Sequence, residues 1–365
     1  MALTQFLDAE ASREQGARVR APIPGEGAAI AGLWRELWDA HQAWGGYPGS
    51  RDAAVYARLA ARLDDDARVR AGRLVLGCHA HLVAEVGGGL CGQVEGWLER
   101  RGPGPLAPLL CEVRSLVVAG RARGSGTGHA LLDALAQTAQ AHAPAAQCTL
   151  AAEVLEPNPA HGFYKRVGFT PVAWSAWIDP AEGARCAAGA SGELVARPAG
   201  ALDASAVSRL EGVLAERRRA AGDLRFEPLA HVDGALLTAI AAHLAVDARE
   251  RGDVGTIVVV DRAGLVRGAA STVVQTLDPP FLAVRRSLIG RFALDPACPP
   301  LALLAPLVAL GCRFAEARGA RRVELTDLPA PGSDLYDAAR ALGARPWSRV
   351  VVRPSPVPCP LRPPG

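Results

Sequence analysis

The same order of predicted helices and strands occurs twice in this chain of 365 residues. In each copy, hydrophobic periodicity predicts an opening strand, a helical region, a hairpin, another strand, a long helix, a strand and a short helix. Corresponding positions keep a similar offset: 172 residues separate Tyr164 from Tyr336, and 175 separate Gly168 from Gly343. This regularity indicates an internal duplication. Because hairpins and helices are mixed in each copy, the sequence predicts an α+β fold of two tandem domains. Each domain is expected to have a mixed, mostly antiparallel sheet flanked by helices.

The predicted domains occupy residues 1–179 and 193–356. Residues 180–192 are rich in Gly and Ala and show no hydrophobic periodicity, so they predict a linker. Residues 357–365 predict a Pro-rich tail.

The composition excludes several classes of protein. A net charge of +3 provides no dense basic face for a nucleic-acid partner, and no apolar run is long enough to span a membrane. Eight scattered cysteines without a C-x-x-C pair predict reduced core thiols in a cytoplasmic protein. His79 and His81 alternate along a strand, and no second pair of ligands has zinc-site spacing, so no metal site is predicted.

A run of alternating glycines connects a predicted strand to a predicted helix. The apolar strand that ends at Val118 leads into Gly124, Gly126 and Gly128, where an amphipathic helix begins. Backbone N–H groups in such a loop can turn inward together, and the helix N-terminus adds its positive dipole end. The Gly-Lys-Ser/Thr of a P-loop is missing, and the spacing differs from the dinucleotide fingerprint. The loop therefore predicts a pyrophosphate site; the alternative interpretation is a flexible strand-to-helix turn.

A second motif makes the assignment more specific. The sequence R-G-x-G-x-G at residues 123–128 and the sequence F-Y-x-x-x-G-F at residues 163–169 occur in this order and spacing. Together they resemble the two signature segments of the GCN5-related N-acetyltransferase (GNAT) superfamily. The resemblance covers residues 18–179 well and the second copy only in layout. It implies two tandem GNAT-like domains and an N-acetyltransferase that takes acetyl-CoA as its acyl donor.

The resemblance also implies roles for individual residues. The strand ending at Val118 should part from its neighbour, so that unpaired backbone groups bind the pantetheine arm and the N–H near Val118 faces the acetyl carbonyl. Tyr164 matches the tyrosine that protonates the departing thiolate; the alternative is a core aromatic residue. Asn158 is one residue closer to Tyr164 than is common in the family, which weakens its match to a pantetheine contact. The expected cofactor-binding residues are Leu116, Val117, Val118, Arg121, Arg123, Gly124, Ser125, Gly126, Thr127, Gly128, His129, Asn158 and Tyr164.

A base or a water relay must remove the proton of the attacking amine. Glu112 is the predicted base, because it precedes Val118 by an even number of residues on what is predicted to be one strand, and so shares its face. The position also resembles that of family members with a glutamate base. The alternative is an ion pair of Glu112 with Arg114. Glu95 and Glu153 are the other candidates.

Aromatic residues are concentrated after the first predicted helix, the region from which this family usually builds its acceptor pocket. Trp44 and Tyr47 flank two glycines, and both are predicted to contact the acceptor. Asp39 is predicted to hold a cationic amine. Trp34 and Trp38 are four residues apart and are expected in the core.

The second copy lacks the features of a cofactor site. Pro296, Pro299 and Pro300 stand where the glycine loop should be, and proline has no N–H to donate. The second domain is therefore expected to be a degenerate copy without cofactor that braces the first.

The predicted function is direct transfer of an acetyl group from acetyl-CoA to a primary amine of a small molecule, such as an amino acid, a polyamine or an aminoglycoside. Direct attack in a ternary complex is expected because no cysteine lies in the motifs as an acyl carrier. The expected state is a monomer or a homodimer. The alternatives are a protein lysine or N-terminal acetyltransferase and a non-catalytic acyl-CoA sensor.

Overall fold

The computed structural model describes residues 17–101, 107–186, 193–226, 253–277 and 282–355. No helix in these ranges is long and apolar enough to cross a membrane. The predicted Pro-rich tail, residues 357–365, lies outside the described residues.

The first half follows the predicted order of elements. Two helices lie between the opening strand and a hairpin that turns at Gly87 and Gly88, which have positive φ angles as tight hairpin turns require. The strands are β1 (Arg18–Arg20), β2 (Val75–Leu76), β3 (His79–Val86), β4 (Gly89–Arg100), β5 (Leu109–Val113), β6 (Val117–Val118), β7 (Cys148–Leu155) and β8 (Thr170–Ile178). The helices are α1 (Gly27–Ala43), α2 (Ala53–Arg70), α3 (Thr127–His142), α4 (His161–Arg166) and α5 (Pro180–Cys186).

The strand predicted to run unbroken from Glu112 to Val118 is interrupted. In the structure β5 ends at Val113 and β6 begins at Val117. Glu112 lies opposite Trp97 of β4, and Val118 lies opposite Gly92. Five residue steps on β4 (97 − 92) therefore match six on the other side (118 − 112), so the interruption inserts one extra residue, as a β-bulge does. Glu112 and Val118 consequently lie on opposite faces of the sheet, and the prediction that they share a face is wrong.

The second half repeats the layout. Its strands are β9 (Val195–Pro198), β10 (Val254–Val260), β11 (Val266–Thr276), β12 (Arg285–Leu294), β13 (Val323–Leu328) and β14 (Arg345–Pro354). Its helices are α6 (Ala204–Ala220), α7 (Pro300–Glu316) and α8 (Asp334–Ala341). The α+β class with tandem halves and a mainly antiparallel sheet is confirmed.

The strands of both halves form one sheet. Its order is β1-β3-β4-β5-β7-β14-β8-β13-β12-β11-β10-β9, with β2 beside β3 and β6 beside β4. The last strand of the chain, β14, thus lies between β7 and β8, while β8 pairs with β13 of the second half. The final strand of each half therefore pairs with a strand of the other half: β14 with β7 and β8, and β8 with β13. The predicted domains at 1–179 and 193–356 divide the sequence. They do not correspond to two separate sheets, because strands of the two halves pair with one another.

The predicted linker at 180–192 begins with regular structure. Helix α5 occupies Pro180–Cys186 and packs against α7: a Cβ at Gly183 would lie 2.4 Å from the sulfur of Cys312. This close approach explains why residue 183 is a glycine. The sequence predicted a loop here because the segment shows no hydrophobic periodicity. Residues 187–192 lie outside the described residues.

Apolar helix faces cover the sheet on both sides. In the first half α3 packs Leu131, Leu132 and Leu135 onto one face, and α1 and α2 pack Ile30 and Leu59 onto the other around Val83. In the second half α7 provides the corresponding buried face. Helices therefore cover both faces of the sheet in the first half. The site described below lies between these helices.

Arg353 of β14 holds the C-terminal strand against the first half. Its guanidinium lies 3.0 Å from the carboxylate of Asp133, 3.1 Å from the carbonyl oxygen of Val167 and 5.3 Å from the ring centre of Phe169. Only 13% of the side chain is exposed. Replacing Arg353 by Ala is expected to lower the free energy of unfolding by about 2 kcal/mol, because it removes charged hydrogen bonds and packing. Urea unfolding of both proteins measures the difference.

Arg345 on the same strand is the matched control. Its side chain is 58% exposed and lies 3.6 Å from Glu182 and over Trp177. Arg345→Ala should cost under about 1 kcal/mol, because exposed ion pairs and cation–π contacts contribute little. Equal losses in the two variants would contradict the assigned role of Arg353.

Candidate active site

A cavity of about 650 Å³ lies in the first half, between α1, β6, the glycine loop and α4. The residues around it come from the segments that carry the sequence motifs and from one face of α1. They are Glu36, Leu37, Ala40, Trp44, Leu116, Val117, Val118, Ala122, Arg123, Gly124, Gly126, Thr127, Gly128, His129, Asn158, Pro159, Ala160, Phe163, Tyr164, Arg166 and Val167. The structure therefore brings the two distant motifs together around one space.

Two parallel strands separate at this cavity. β5 and β7 pair as far as Val113 and Ala152, and β6 then pairs only with β4. The N–H of Ala119 donates to the carbonyl of Cys91 on β4 at 2.8 Å. Because backbone groups alternate in direction along a strand, the N–H of Val118 points away from β4 and into the gap. The gap thus offers backbone donors and acceptors to an extended chain lying in it.

The glycine loop presents a row of unused donors. Gly124 and Gly126 have φ angles of +82° and +84°, and Gly126 caps the N-terminus of α3. Within the described part of the chain, none of the six consecutive backbone N–H groups of residues 124–129 donates a hydrogen bond to the protein. The hydroxyl of Ser125 is used inside the loop, where it donates to the carbonyl of Ala122 at 2.7 Å. Free amides at a helix N-terminus suit a phosphate or pyrophosphate group.

The basic side chains near the loop differ in position. Arg123 lines the cavity, and its Nε donates to the carbonyl oxygen of Val118 at 3.1 Å. Arg121 lies outside the cavity and donates to the carbonyl of Leu90 at 2.7 Å. His129 lines the cavity and lies 3.0 Å from Asp133. Arg166, which the sequence analysis missed, also lines it. Its signal was its place one turn after the motif aromatics on α4.

Tyr164 is fixed by its neighbours on α4 and after it. Its backbone N–H donates to Ala160, its carbonyl accepts from Phe169, and its ring makes edge contacts with Phe163 and Phe169. Tyr164 is buried, and burial raises the pKa of its phenol to about 12. The phenol is therefore fully protonated at neutral pH, which is the form that a proton donor requires.

Asn158 also lines the cavity, but its side chain is partly used. Its Oδ1 accepts a hydrogen bond from the N–H of Ala160 at 2.9 Å, which closes the turn before α4. The amide nitrogen remains for a contact in the cavity.

The predicted base does not reach the cavity. Glu112 is 52% exposed, and its carboxylate lies 2.8 Å from Arg114, which is the ion pair considered as the alternative. The bulge between β5 and β6 is the physical reason, because it turns Glu112 to the face opposite Val118. Neither of the other candidates lines the cavity. Glu153 accepts a hydrogen bond from Ser348 at 2.5 Å.

Glu95 is buried beside two histidines. Its carboxylate lies 3.8 Å from His79 and 3.9 Å from His81. Burial alone would raise the pKa of Glu95, but the neighbouring imidazoles of His79 and His81 outweigh it, so the pKa is lowered. A carboxylate in this environment stays ionised, which makes it a weak acceptor for the proton of an amine.

Of the three predicted acceptor residues, the structure places one at the cavity. Trp44 lines the cavity, whereas Asp39 is exposed outside it, and Tyr47 is buried against Trp347 and Leu277 of the second half. The acidic side chain of α1 that lines the cavity is Glu36. Glu36, Ala40 and Trp44 are spaced four residues apart and so share one helix face, a signal present in the sequence.

Comparison with known proteins agrees with this geometry. Residues 77–171 match the family model of the acetyltransferase (GNAT) domain. The chain is similar to a GCN5-related N-acetyltransferase from Sphaerobacter thermophilus, with 18% identity and a TM-score of 0.54 over 93% of this chain and 95% of that chain. It is also similar to a glucosamine N-acetyltransferase region of a fungal multi-domain β-N-acetylglucosaminidase, with 13% identity and a TM-score of 0.51 over 90% of this chain and 37% of that chain.

A tandem GNAT protein from the clavulanic acid biosynthesis pathway shows 21% identity and a TM-score of 0.49, over 93% of this chain and 98% of that chain. A comparison with curated proteins finds no match.

The fold and the matched segment define the class. Residues 77–171 match the GNAT acetyltransferase domain, and the whole chain shares the fold of the Sphaerobacter GCN5-related N-acetyltransferase. The matched segment points to N-acetyltransferase activity, and the GNAT family uses acetyl-CoA as its acyl donor. Among the described residues no cluster of His, Cys, Asp or Glu is arranged to hold a metal ion.

Proposed function

We propose that the first half transfers an acetyl group from acetyl-CoA to a primary amine of a small molecule in a ternary complex. The observation that supports this most directly is the shared cavity, where the free amides of residues 124–129, the N–H of Val118 and Tyr164 come together. These groups suit a pyrophosphate, a thioester carbonyl and a leaving thiolate in that order along the site.

The steps follow from the positions of these groups. The amine nitrogen forms a bond to the carbonyl carbon, and the N–H of Val118 stabilises the negative charge that develops on the carbonyl oxygen. The carbon–sulfur bond then breaks, and Tyr164 donates its proton to the sulfur. The nitrogen, positively charged after the attack, releases a proton to solvent to give the neutral amide, and the Tyr164 phenolate takes a proton back from solvent. The amine reaches the site in its neutral form after losing a proton to water, since no described aspartate or glutamate besides Glu36 lines the cavity.

Glu36 and Trp44 suggest the kind of acceptor. Glu36 on α1 and Trp44 immediately after its last residue both line the cavity, so a carboxylate and an aromatic ring are available to a second positive charge on the acceptor. A diamine, a polyamine or an aminoglycoside carries such a charge in addition to the neutral amine that attacks. The proposed acceptor is therefore a small molecule with more than one amino group, bound by one chain acting as a monomer or in a homodimer.

A thiol-release assay tests the proposal. Acetyl-CoA is supplied with spermidine, kanamycin, L-lysine or the monoamine butylamine, and free CoA is measured. We expect release with the multiply charged amines and little with butylamine. A shift in melting temperature with acetyl-CoA but no release with any amine, including a lysine peptide, would favour the acyl-CoA sensor. No thermal shift with acetyl-CoA would overturn the proposal.

The pKa of Tyr164 gives a prediction for pH dependence. Its acidic form exists below its pKa, which burial raises to about 12, so the proton donor is lost only when the pH rises through about 12. The turnover number should therefore rise from pH 7 to 10 as the acceptor amine loses its proton, with no descending limb. Initial rates at saturating substrates in this range provide the test. A descending limb below pH 10 would contradict the assignment of Tyr164 as the acid.

A further inference from the structure

The loop after α1 approaches the second half. This acceptor loop runs from Trp44, which lines the cavity, to Tyr47, which is buried. It is sharply turned, because Gly45 has a φ angle of +79° and the N–H of Gly46 donates to the carbonyl of His41 at 2.7 Å. A Cβ at Gly46 would lie 2.6 Å from that same carbonyl oxygen. Because the loop is short and tight, contacts that fix the position of Tyr47 also restrict the position of Trp44.

A carboxylate of the second half holds Tyr47. The phenol of Tyr47 donates a hydrogen bond to Oε1 of Glu324 on β13, and Nη1 of Arg286 lies 3.5 Å from Oε2 of the same carboxylate. Glu324 is only 1% exposed. A carboxylate buried to this extent requires hydrogen-bond partners, so Tyr47 cannot move away without leaving it poorly solvated.

An arginine of the second half holds the same loop at a second point. The guanidinium of Arg322 lies 5.0 Å from the ring centre of Tyr47, 4.8 Å from that of Trp177 and 4.5 Å from that of Trp347. Its Nη1 also lies 3.5 Å from the carbonyl oxygen of Gly45. Three aromatic rings around one cation, together with a backbone contact, restrict the movement of the loop.

This group of contacts adjoins segments that line the cavity. Tyr47 and Trp347 pack with Leu155, the last residue of β7, and Asn158 lines the cavity three residues later. The loop enters from α1, and the partners of Tyr47 come from β12, β13 and β14. Trp44 thus lines the cavity from the first half, and the loop that follows it is held by residues of the second.

We propose that Glu324 and Arg322 are positioning residues that fix the acceptor loop and thereby place Trp44 at the acceptor end of the cavity. This inference rests on the proposed acetyltransferase function of that cavity. The second half, which has lost the glycine loop, thus acts on the selectivity of the site in the first half. It does so through Tyr47 and Gly45, without touching the acyl donor.

The experiment uses the full chain and two independent readouts. The variants are Tyr47→Phe and Arg322→Met, with Tyr336→Phe as the matched control, because Tyr336 is a buried tyrosine of the second half outside these contacts. Hydrogen–deuterium exchange measures the amides of residues 44–47, and steady-state kinetics measures KM for whichever of spermidine, kanamycin and L-lysine turns over fastest. In Tyr47→Phe and Arg322→Met we expect exchange in the loop and KM to rise about tenfold, as loss of one buried polar contact predicts. The acetyl-CoA dissociation constant and the control variant should stay within about twofold of wild type.

Glu324 supplies a rescue test. Glu324→Gln keeps an oxygen that accepts from the Tyr47 phenol, so its KM should remain near that of wild type, whereas Glu324→Leu should behave like Tyr47→Phe. A general effect on stability would instead lower the turnover number and acetyl-CoA binding in both variants. Unchanged loop exchange in Tyr47→Phe and Arg322→Met would overturn the inference, as would faster exchange with an unchanged KM. If exchange rises but wild type acetylates no amine, the positioning of the loop stands and the proposed function fails.

Discussion

Replacement of Tyr164 by Phe is expected to lower the turnover number for acetyl transfer by about 100-fold or more, because the leaving sulfur loses its proton donor. The dissociation constant of acetyl-CoA should stay within about twofold, since the ring remains and keeps its contacts with Phe163 and Phe169. Thiol-release kinetics and isothermal titration with acetyl-CoA measure the two quantities separately.

The corresponding change in the second half separates chemistry from folding. Tyr336 occupies the equivalent place in α8 and is buried to a similar extent, at 6% against 9% for Tyr164. Tyr336→Phe should leave the turnover number unchanged. If both variants retained full activity, Tyr164 would be a core aromatic residue and water would protonate the thiolate.

Replacement of Gly126 by Val should weaken acetyl-CoA binding by at least about 100-fold, which corresponds to the loss of two charge-assisted hydrogen bonds. Nothing lies within 4 Å of a Cβ at this position, so the effect is conformational rather than steric. A β-branched residue is strongly disfavoured at a φ angle of +84°, and relaxation of the backbone would turn the N–H groups of the loop away from one another. Titration calorimetry with acetyl-CoA measures the loss.

Gly264 provides the control for backbone strain. It lies in a turn of the second half with a φ angle of +78° and also has open space around it. Gly264→Val should lower the melting temperature to a similar degree as Gly126→Val but leave acetyl-CoA binding intact. Equal losses of binding in both variants would show that strain acts through global stability, which would remove the support for a pyrophosphate site in this loop.

The local structure of the two motifs could be predicted from the sequence, because each combines a backbone conformation with a chemistry. Glycines at positive φ, a helix N-terminus and the aromatic pair on α4 all depend on residues close in sequence, and the structure places them around one cavity. The bulge between β5 and β6 escaped prediction because no glycine or proline marks it. The alternation of side chains along an unbroken strand therefore predicted the wrong face for Glu112.

The acceptor side depended on contacts between residues far apart in sequence. Asp39 and Glu36 are both acidic residues of α1, and only the packing of the helix decides that Glu36 lines the cavity. Tyr47 was expected beside the acceptor, but Glu324 and Arg322 draw it into the interior. Those partners become neighbours through the pairing of β8 with β13 and β14, and neither β8 nor β14 was recognised as a strand from the sequence.

The position of β14 has a consequence for biosynthesis. The residues of β7 and β14 that face each other are separated by 193 positions, for Leu155 and Ser348, to 205 positions, for Thr149 and Pro354. A ribosome therefore completes the whole acetyltransferase half before the strand that covers the edge of β7 has been made. Until then, that edge exposes unpaired backbone groups, and such nascent intermediates depend on chaperones or rapid completion of the chain. A chain that stopped before β14 would therefore leave this edge of β7, and the facing edge of β8, without a partner strand.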